Sequence, residues 1–381
     1  MTLPVLIIGA GLGGITNLRT QGYRLKITEH GTNALKEALT PDLFTLFEQT
    51  CATTSGFGVR VTPDGIPIPF GENGPPKPPA MLSGKSYTVD RSKFRVALLT
   101  ELSEHVFFGK KFVCYEISDS GVTVTAFFAD GSVVKESLLV GADGVHARVR
   151  KQYLPTFPGI DTGMRIVFGK TPITSELLDS MPQEYQTGMS LASAPGDKAE
   201  PTLMWEAIRF PGFVETLELP DPYMYWVLVL RRECLQLEAS HWRFGSGEAA
   251  DLAKRLTGSW VPGVRSVVDF QDRSQSSIRS LLFAEPEIQA WEPSAQVTLL
   301  GDAVHVMPPT GAMGANTALR DAADLARRIV AVGVEKVDGQ VIGEYEAGMR
   351  VFARLRIDLS WQGGIKSFGL RPVEECEKIV L

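Results

Sequence analysis

The sequence predicts an α/β protein in which a parallel-sheet domain is interrupted by an antiparallel sheet. Two short apolar runs, Leu3–Ile8 and Val297–Leu300, are each followed by glycines, which is typical of parallel strands buried on both faces. Between them, from about 161 to 283, the strand candidates become longer and rich in aromatic residues. The two ends of the chain therefore predict one discontinuous domain with a second domain inserted into it.

Length and composition place the chain among globular proteins of two packed domains. It has 381 residues, of which 44% are hydrophobic, and a net charge of −6 with both signs interspersed. This charge pattern excludes a typical nucleic-acid binder. No apolar run approaches the roughly 20 residues of a membrane helix, so we expect no membrane span and a cytoplasmic location. The four cysteines have no metal-ligand spacing, and we expect no metal site.

A glycine cluster follows the first apolar run and predicts a dinucleotide-binding start. Gly9, Gly11 and Gly14 lie between that run and a stretch compatible with a helix, and Tyr23–Thr28 alternates like a second strand that ends at Glu29. Glycines allow the backbone to approach a pyrophosphate at a helix N-terminus, and an acidic residue about 20 positions later accepts hydrogen bonds from ribose hydroxyls. We interpret this as a βαβ unit of a Rossmann-like domain; the alternative is a structural glycine turn.

Two further motifs each join the end of a strand candidate to a Gly/Asp pair. The first is Gly141–Arg150, with sequence GADGVHARVR, and the second is Gly301–Asn316, with sequence GDAVHVMPPTGAMGAN. The carboxylates of Asp143 and Asp302 suit ribose or ribityl hydroxyls, because ligands bind outside the carboxyl ends of parallel strands. The glycines near the end of the second motif leave backbone N–H groups free at a helix start, where they favour negative charge.

These three motifs, in this order and at these distances, resemble the class A flavoprotein monooxygenases, which include para-hydroxybenzoate hydroxylase and salicylate hydroxylase. The resemblance covers nearly the whole chain, including Asp90–Arg95, which looks like the helix with an FAD-contacting arginine. It implies roles for individual residues in binding FAD. The residues it implies are Gly9, Gly11 and Gly14 at the pyrophosphate, Glu29 at the adenosine ribose, Arg91 at the phosphate or ribityl region, Asp143 near FAD and the NAD(P)H path, Asp302 at the ribityl chain, and Gly311, Gly314 and Ala315 along the isoalloxazine ring.

The same resemblance implies an activity. Members of the family use NAD(P)H and O2, and a flavin C4a-hydroperoxide transfers one oxygen atom to an electron-rich carbon. The compact members suggest an aromatic or polyketide-like small molecule as substrate, in secondary metabolism. Because the cofactor performs the difficult step, we name no catalytic side chain.

The predicted domains follow from these motifs. The discontinuous FAD-binding domain comprises 1–55, 85–160 and 285–335, the substrate-binding sheet domain comprises 56–84 and 161–284, and a helical segment comprises 336–381.

Several residues allow both a structural and a functional interpretation. For His305 we favour a structural hydrogen bond over catalysis, and for His146 and Arg148 a solvated helix start over NAD(P)H contact. Strand alternation places Trp205 with Arg209, and Tyr223 with Tyr225, on common faces. These residues and Arg231 line either the substrate pocket or the ordinary sheet core.

Two departures from the family pattern weaken the first motif. The crossover from Gly14 to Glu29 is barely as long as a βαβ unit needs, and the residues from Glu29 to Pro41 are too few for a strand end and a segment that covers the flavin. The alternative function is therefore an impaired or non-hydroxylating flavoprotein on the same scaffold, such as a reductase, an oxidase-like protein or a pseudoenzyme. The six tryptophans include no WxW segment, which argues against a flavin halogenase.

Overall fold

The computed structural model describes residues 5–9, 24–53, 55–70, 85–194, 200–212, 214, 217–235 and 244–381. The strands in this part of the chain are β1 (Val5–Ile8), β2 (Arg24–Ile27), β3 (Cys51–Ala52), β4 (Phe57–Val61), β5 (Tyr87–Asp90), β6 (Phe112–Ile117), β7 (Val124–Phe128), β8 (Val133–Glu136), β9 (Leu138–Gly141), β10 (Pro158–Pro172), β11 (Met189–Ala192), β12 (Thr202–Ile208), β13 (Tyr223–Arg231), β14 (Ser277–Ala284), β15 (Val297–Leu299) and β16 (Glu377–Val380). The α-helices are α1 (Glu29–Ala38), α2 (Pro41–Gln49), α3 (Arg91–Leu99), α4 (Arg148–Tyr153), α5 (Ser175–Ser180), α6 (Ser246–Leu256), α7 (Pro262–Asp269), α8 (Asp302–His305), α9 (Met313–Val332) and α10 (Gly339–Phe368).

The three glycine motifs follow the three strands of one parallel sheet. β9 is its central strand; β1 pairs on one side, with Val5 opposite Leu138, and β15 pairs on the other, with Val297 opposite Leu139. All four residues of β9 are buried, which explains its continuous apolar sequence. The predicted strands before the first and third motifs are confirmed, and the carboxyl ends of all three strands meet at one edge.

The predicted βαβ unit is wrong, because β2 does not join the parallel sheet. β2 lies antiparallel to β5, with Arg24 opposite Asp90, and β3 lies on the other side of β5. The chain between β1 and β2 scarcely exceeds the roughly 10–12 residues that a crossover and its helix need. Antiparallel pairing with β5 instead buries the side chains of Ile27 and Val89 completely.

This pairing also changes the place of Glu29. It is the first residue of α1, with an exposed side chain, and not the last residue of a strand. The helix α1 packs along α9, and Gly31 allows the close approach, since a Cβ there would lie 2.2 Å from Asn316 Oδ1. The residues that follow Glu29 therefore form a helix against α9.

The aromatic-rich part of the chain forms most of a larger sheet with strand order β14–β10–β13–β12–β11–β4, and β16 pairs with one end of β10. All of its pairs are antiparallel except β4 with β11. One face carries Trp205 and Trp226 and is covered by α5, α6 and α7. The opposite face carries Tyr223 and Tyr225 and packs near Trp361 of α10. The predicted α/β class is confirmed.

The dipeptide Asp130-Gly131 predicts a hairpin turn, and this hairpin lies in a third sheet. β6, β7 and β8 are antiparallel, and β7 and β8 are joined at Asp130-Gly131, where Gly131 has φ +82° and Asp130 Oδ1 accepts a hydrogen bond from Ser132 N. A Gly at positive φ suits such a tight turn. The sequence from Ser132 to Val140 predicts one strand, but it is divided at Ser137 into β8 and β9, which belong to different sheets.

Two long helices close the chain. The sequence predicts helices from about Ala315 to Val330 and from about Val341 to Trp361. The first is α9, and the second is the longer α10, whose N-cap Asp338 accepts from Val341 N. In the part of the chain that the structure describes, no helix has the length and apolarity needed to cross a membrane. The cytoplasmic location stays a prediction.

Candidate cofactor site at the edge of the parallel sheet

Gly9 lies where the ends of β1 and β9 approach most closely. It has φ +103°, and a Cβ there would lie 2.4 Å from the carbonyl oxygen of Ala142. The same crossing is held by a 2.8 Å hydrogen bond from Ala142 N to Ile8 O. Any other residue would strain the backbone and collide with β9, so glycine is needed here. Gly11 and Gly14, which complete the predicted motif, lie outside the described residues.

Asp143 follows β9 and holds the start of α4. Its Oδ2 accepts hydrogen bonds from Arg148 N at 2.6 Å and Val149 N at 3.4 Å. Its Oδ1 is buried and has no hydrogen-bond partner in the described part of the chain. Burial raises the pKa of Asp143, although the backbone hydrogen bond from Arg148 acts in the other direction. One oxygen thus serves the fold, and the other is available to a ligand.

The arginines of the second motif are structural. Arg150 is fully buried and donates to Ala303 O and Val145 O, each at 2.8 Å, so it ties the second motif to the third. Arg148 Nη1 donates to Phe112 O at 3.1 Å. Sequence reasoning did not assign Arg150 a role. The available signal was its place in a motif that directly follows a strand predicted to be buried.

The third motif turns sharply after β15. Gly301 has φ +62°, and Asp302 begins α8. Burial raises the pKa of Asp302, whereas the charges of His305 and Arg91 act to lower it. Two predicted site residues from distant parts of the sequence, Arg91 and Asp302, are therefore close enough to interact electrostatically.

A buried acid on α9 supports this turn. Asp321 Oδ2 is hydrogen bonded to His305 Nε2 and also accepts a hydrogen bond from Gly301 N at 3.3 Å. The side chains of Asp321 and His305 are both completely buried. Burial opposes the charged form of His305, but the charge and hydrogen bond of Asp321 outweigh it and raise the pKa of His305. The hydrogen-bond role expected for His305 is observed. Asp321 itself was missed, although Thr317 and Asp321 recur at helical spacing on the buried face of α9.

The loop before α9 provides no side-chain cap for the backbone N–H groups at the start of that helix. Gly311 has φ +68° and Ala312 has φ +56°, and Ala312, as N-cap, has no side chain that could accept from the first turn. Free N–H groups after left-handed residues form an anion-binding concavity. Gly314, in the first turn, lies beside Asp302, since a Cβ there would be at ordinary contact distance, 3.8 Å, from Asp302 Oδ1. Ala315 is the next residue of the same turn.

Asn316 connects this helix start to β2. Its Oδ1 accepts from Thr28 N at 2.8 Å, and its Nδ2 donates to Lys26 O at 2.9 Å and Ala312 O at 2.6 Å. Asn316 is 4% exposed, so these hydrogen bonds fix β2 and the beginning of α1 beside the start of α9.

Asp90 links the helix that carries Arg91 to the large sheet. It caps α3 by accepting from Ser92 N at 2.9 Å, and its Oδ2 accepts from Lys170 Nζ at 2.6 Å and Tyr223 Oη at 2.8 Å. The Lys170 ammonium also lies 4.1 Å from the centre of the Tyr223 ring. Burial and the charge of Asp90 raise the pKa of Tyr223 well above its ordinary value. The position of Asp90 directly before a stretch with helical spacing predicts the cap, whereas its partners in the large sheet are not evident from the sequence.

The other aromatic candidates divide between the two faces of the sheet. Trp205 is fully buried on the helix-covered face, where its indole N–H donates to Tyr185 O, and Arg209 donates to Gln186 O. Trp205 is therefore core. Arg231 Nη2 donates to Gly369 O. Tyr223 and Tyr225 lie on the face toward Asp90 and α10.

A cavity of about 450 Å³ lies under the loop between β12 and β13. Its wall is largely apolar and is formed by Phe210, Gly212, Val214, Leu217, Glu218, Leu219, Pro220, Asp221 and Pro222. The ring centres of Phe210 and Tyr223 are 6.3 Å apart, so the cavity borders the face of the sheet that carries Tyr223. Across the described ranges, no group of three or more His, Cys, Asp and Glu side chains is placed to hold a metal ion.

Comparison with known proteins points to one family. Residues 284–360 match the FAD binding domain family. The chain is 34% identical to the dual O-methyltransferase/FAD-dependent monooxygenase CTB3 of Cercospora beticola, over an alignment of 430 residues that covers 99% of this chain and 48% of the relative. It is also 34% identical to the dual O-methyltransferase/FAD-dependent monooxygenase elcB of Phaeosphaeria nodorum, covering 98% of this chain and 47% of that protein.

A solved structure extends this likeness to the fold. A protein of Photorhabdus luminescens described as an FAD-containing monooxygenase has a TM-score of 0.76 and 28% identity, covering 96% of this chain and 99% of its own. The chain spans about half the length of the curated relatives named above. The alignment with CTB3 is longer than the 381 residues of this chain, so that relative contains segments that have no counterpart here.

Proposed function

Since this chain is a member of the class A FAD-dependent monooxygenase family, we propose that it uses NAD(P)H and O2 to place one oxygen atom on an aromatic or polyketide-like small molecule in secondary metabolism. The observation that carries the proposal is the convergence of Asp302, Arg91 and the open start of α9 at the carboxyl edge of the parallel sheet.

The residues at this edge fit the flavin end of FAD. Asp302 offers a carboxylate to a ribityl hydroxyl, and Arg91 offers a guanidinium fork to phosphate oxygens. The free N–H groups after Gly311 and Ala312 suit the negative charge of a reduced flavin ring. Gly9 and the unpartnered Oδ1 of Asp143 lie at the ends of the two neighbouring strands. These residues bind FAD non-covalently.

The bound flavin supplies the redox chemistry: NAD(P)H reduces it, and it activates O2 for transfer of one oxygen atom. The chain positions the ring, excludes water and orients the substrate. Asp321 and His305 hold the turn that presents Asp302. Asp90 holds Arg91 against the sheet through Lys170 and Tyr223.

The substrate enters through the cavity between β12 and β13. Its size lies within the roughly 300–1,000 Å³ of small-molecule sites, and its wall is mainly apolar. Phe210 and the proline-rich end of the loop suit a flat, apolar molecule, whereas Glu218 and Asp221 disfavour an anionic one at the entrance. An uncharged or phenolic ring system fits better than a free acid.

The proposal is tested with the purified full chain and FAD. We expect a yellow protein that oxidises NADH or NADPH faster when phenolic polyketides, salicylate-like acids or indoles are added, with a product heavier by one oxygen atom. Activity with phenols and none with acids would agree with the charge at the entrance. A protein that binds FAD but transfers no oxygen to any of these compounds would instead support the alternative, an impaired or non-hydroxylating flavoprotein, which the displaced β2 favours.

A further inference from the structure

Within the residues that the structure describes, no second strand lies beside β1 to support the adenosine half of the expected FAD site. In a dinucleotide-binding fold, a second parallel strand beside the first ends in an acidic residue that accepts hydrogen bonds from the ribose. In the described part of this chain, β1 pairs with β9, whereas β2 pairs antiparallel with β5 in a separate sheet. The side chain of Ile7 in β1 is 58% exposed, which is unusual for a strand of a covered parallel sheet.

The sequence offers no other carboxylate for this role. Residues 1–28 contain neither Asp nor Glu, so Glu29 is the first acidic residue of the chain. Any ribose acceptor that follows the glycine motif at the usual distance would have to be Glu29.

Glu29 is fixed at the opposite end of the proposed site. Its neighbour Thr28 donates its backbone N–H to Asn316, which lies in the first turn of α9, and Lys26 accepts from the same side chain. The start of α9 is the end at which the flavin ring binds in the proposed function. The Glu29 side chain is exposed there.

We infer that this chain holds a flavin by its ring and ribityl chain, and that the adenosine half contributes little to binding. The inference rests on the proposed function, since it assumes the flavin-ring end described above. FMN and riboflavin should then bind almost as well as FAD, in contrast to a site with an intact ribose acceptor.

The test is a titration of the flavin-free full chain with FAD, FMN and riboflavin, followed by quenching of flavin fluorescence. We expect the dissociation constants of FAD and FMN to agree within about tenfold, because a carboxylate that accepts from both ribose hydroxyls is worth on the order of 100-fold. FAD binding 100-fold tighter than FMN would overturn the inference and leave the proposed function intact. Failure of all three flavins to bind would overturn both.

Two matched variants separate the two ends of the site. Asp302→Asn should weaken FAD, FMN and riboflavin by the same factor, about tenfold or more, since the ribityl chain is common to all three. Glu29→Gln should leave all three dissociation constants unchanged within about twofold, as expected for an exposed side chain without a ligand. A tenfold loss of FAD affinity in Glu29→Gln, with FMN unaffected, would show that Glu29 does hold the ribose and would contradict the inference.

Discussion

At the scale of single residues, the proposed site rests on a buried pair behind the turn that carries Asp302. His305 and Asp321 are completely buried, and Asp321 also accepts from Gly301 N, so the pair fixes the turn that carries Asp302. Buried charged groups are costly unless each has a partner. The pair is therefore a positioning device whose removal should be felt in both folding and flavin binding.

Asp321→Asn should destabilise the flavin-free protein on the order of 1.5–3 kcal/mol, the range for a hydrogen bond to a charged group, and should weaken flavin binding because the Asp302 turn loosens. Urea unfolding and flavin titration measure the two effects. The control is Asp358→Asn on α10, an exposed carboxylate; it should change the free energy of unfolding by less than about 0.5 kcal/mol and leave flavin binding unchanged. Equal losses in the two variants would count against the pair.

The raised pKa of His305 predicts a pH dependence. The protonated form is favoured in the folded state, so its contribution to stability is fully present below the ordinary value of 6.5 and is lost as the pH rises through the raised value. Wild-type protein should therefore lose stability in a window above pH 6.5. The free energy of unfolding, measured between pH 6 and 9, should show a smaller decline in Asp321→Asn; parallel profiles would argue that another group titrates in this window.

At the scale of secondary structure elements, α9 begins in a strained conformation. Ala312 has φ +56°, a left-handed conformation that costs a residue with a Cβ about 1–2 kcal/mol. Ala312→Gly should therefore raise the free energy of unfolding of the flavin-free protein by up to about 1 kcal/mol, despite the added freedom of the unfolded chain. Ala326→Gly, at an exposed helical position of α9, should lower it by about 1 kcal/mol. Losses of the same sign and size in both would contradict the strain at Ala312.

The start of α3 is joined to the large sheet by buried charges. Asp90 is 2% exposed, and Lys170 balances its charge. Lys170→Met should cost about 3–5 kcal/mol, because it leaves Asp90 charged, buried and without its cation. Tyr223→Phe removes one hydrogen bond and should cost only about 1 kcal/mol. Thermal and urea unfolding compare the two, and flavin affinity should fall more in Lys170→Met because Arg91 follows Asp90 directly. Similar stability of the two variants would show that Lys170 does not neutralise Asp90.

The elements also show what the sequence could and could not reveal. β1, β9 and β15 were predictable because an apolar run followed by glycines is a local pattern. β2 was placed in the wrong sheet because its alternating sequence fits antiparallel pairing with β5 as well as parallel pairing with β1, and register depends on distant partners. Asp321, Arg150 and Lys170 were missed for a related reason: a buried charge is recognised by the partner it finds in the fold, not by its neighbours in the chain.

At the scale of the whole molecule, the proposed cofactor site is better supported at its flavin-ring end than at its adenosine end. Asp302, Arg91 and the start of α9 converge, while the strand expected beside β1 lies against β5. The large sheet contacts the flavin side through Asp90, Lys170 and Tyr223. In the proposed site, the described residues would therefore hold the flavin ring more firmly than the adenosine end of FAD.

This imbalance predicts an enzyme that wastes reducing equivalents. Transfer of activated oxygen to a substrate requires a site that excludes water, and covering segments normally close over the flavin to provide this. Here the residues after Glu29 form α1 against α9 and are not available as a separate cover, and a flavin held mainly by its ring end keeps more freedom to tilt toward solvent. We expect NAD(P)H oxidation that depends weakly on substrate, with most of the oxygen consumed appearing as H2O2.

The ratio of H2O2 to oxygenated product, measured for the same amount of NAD(P)H oxidised with the best substrate found, tests this expectation directly. Little H2O2, together with strong substrate stimulation of flavin reduction, would contradict this prediction and show that the site is closed during turnover.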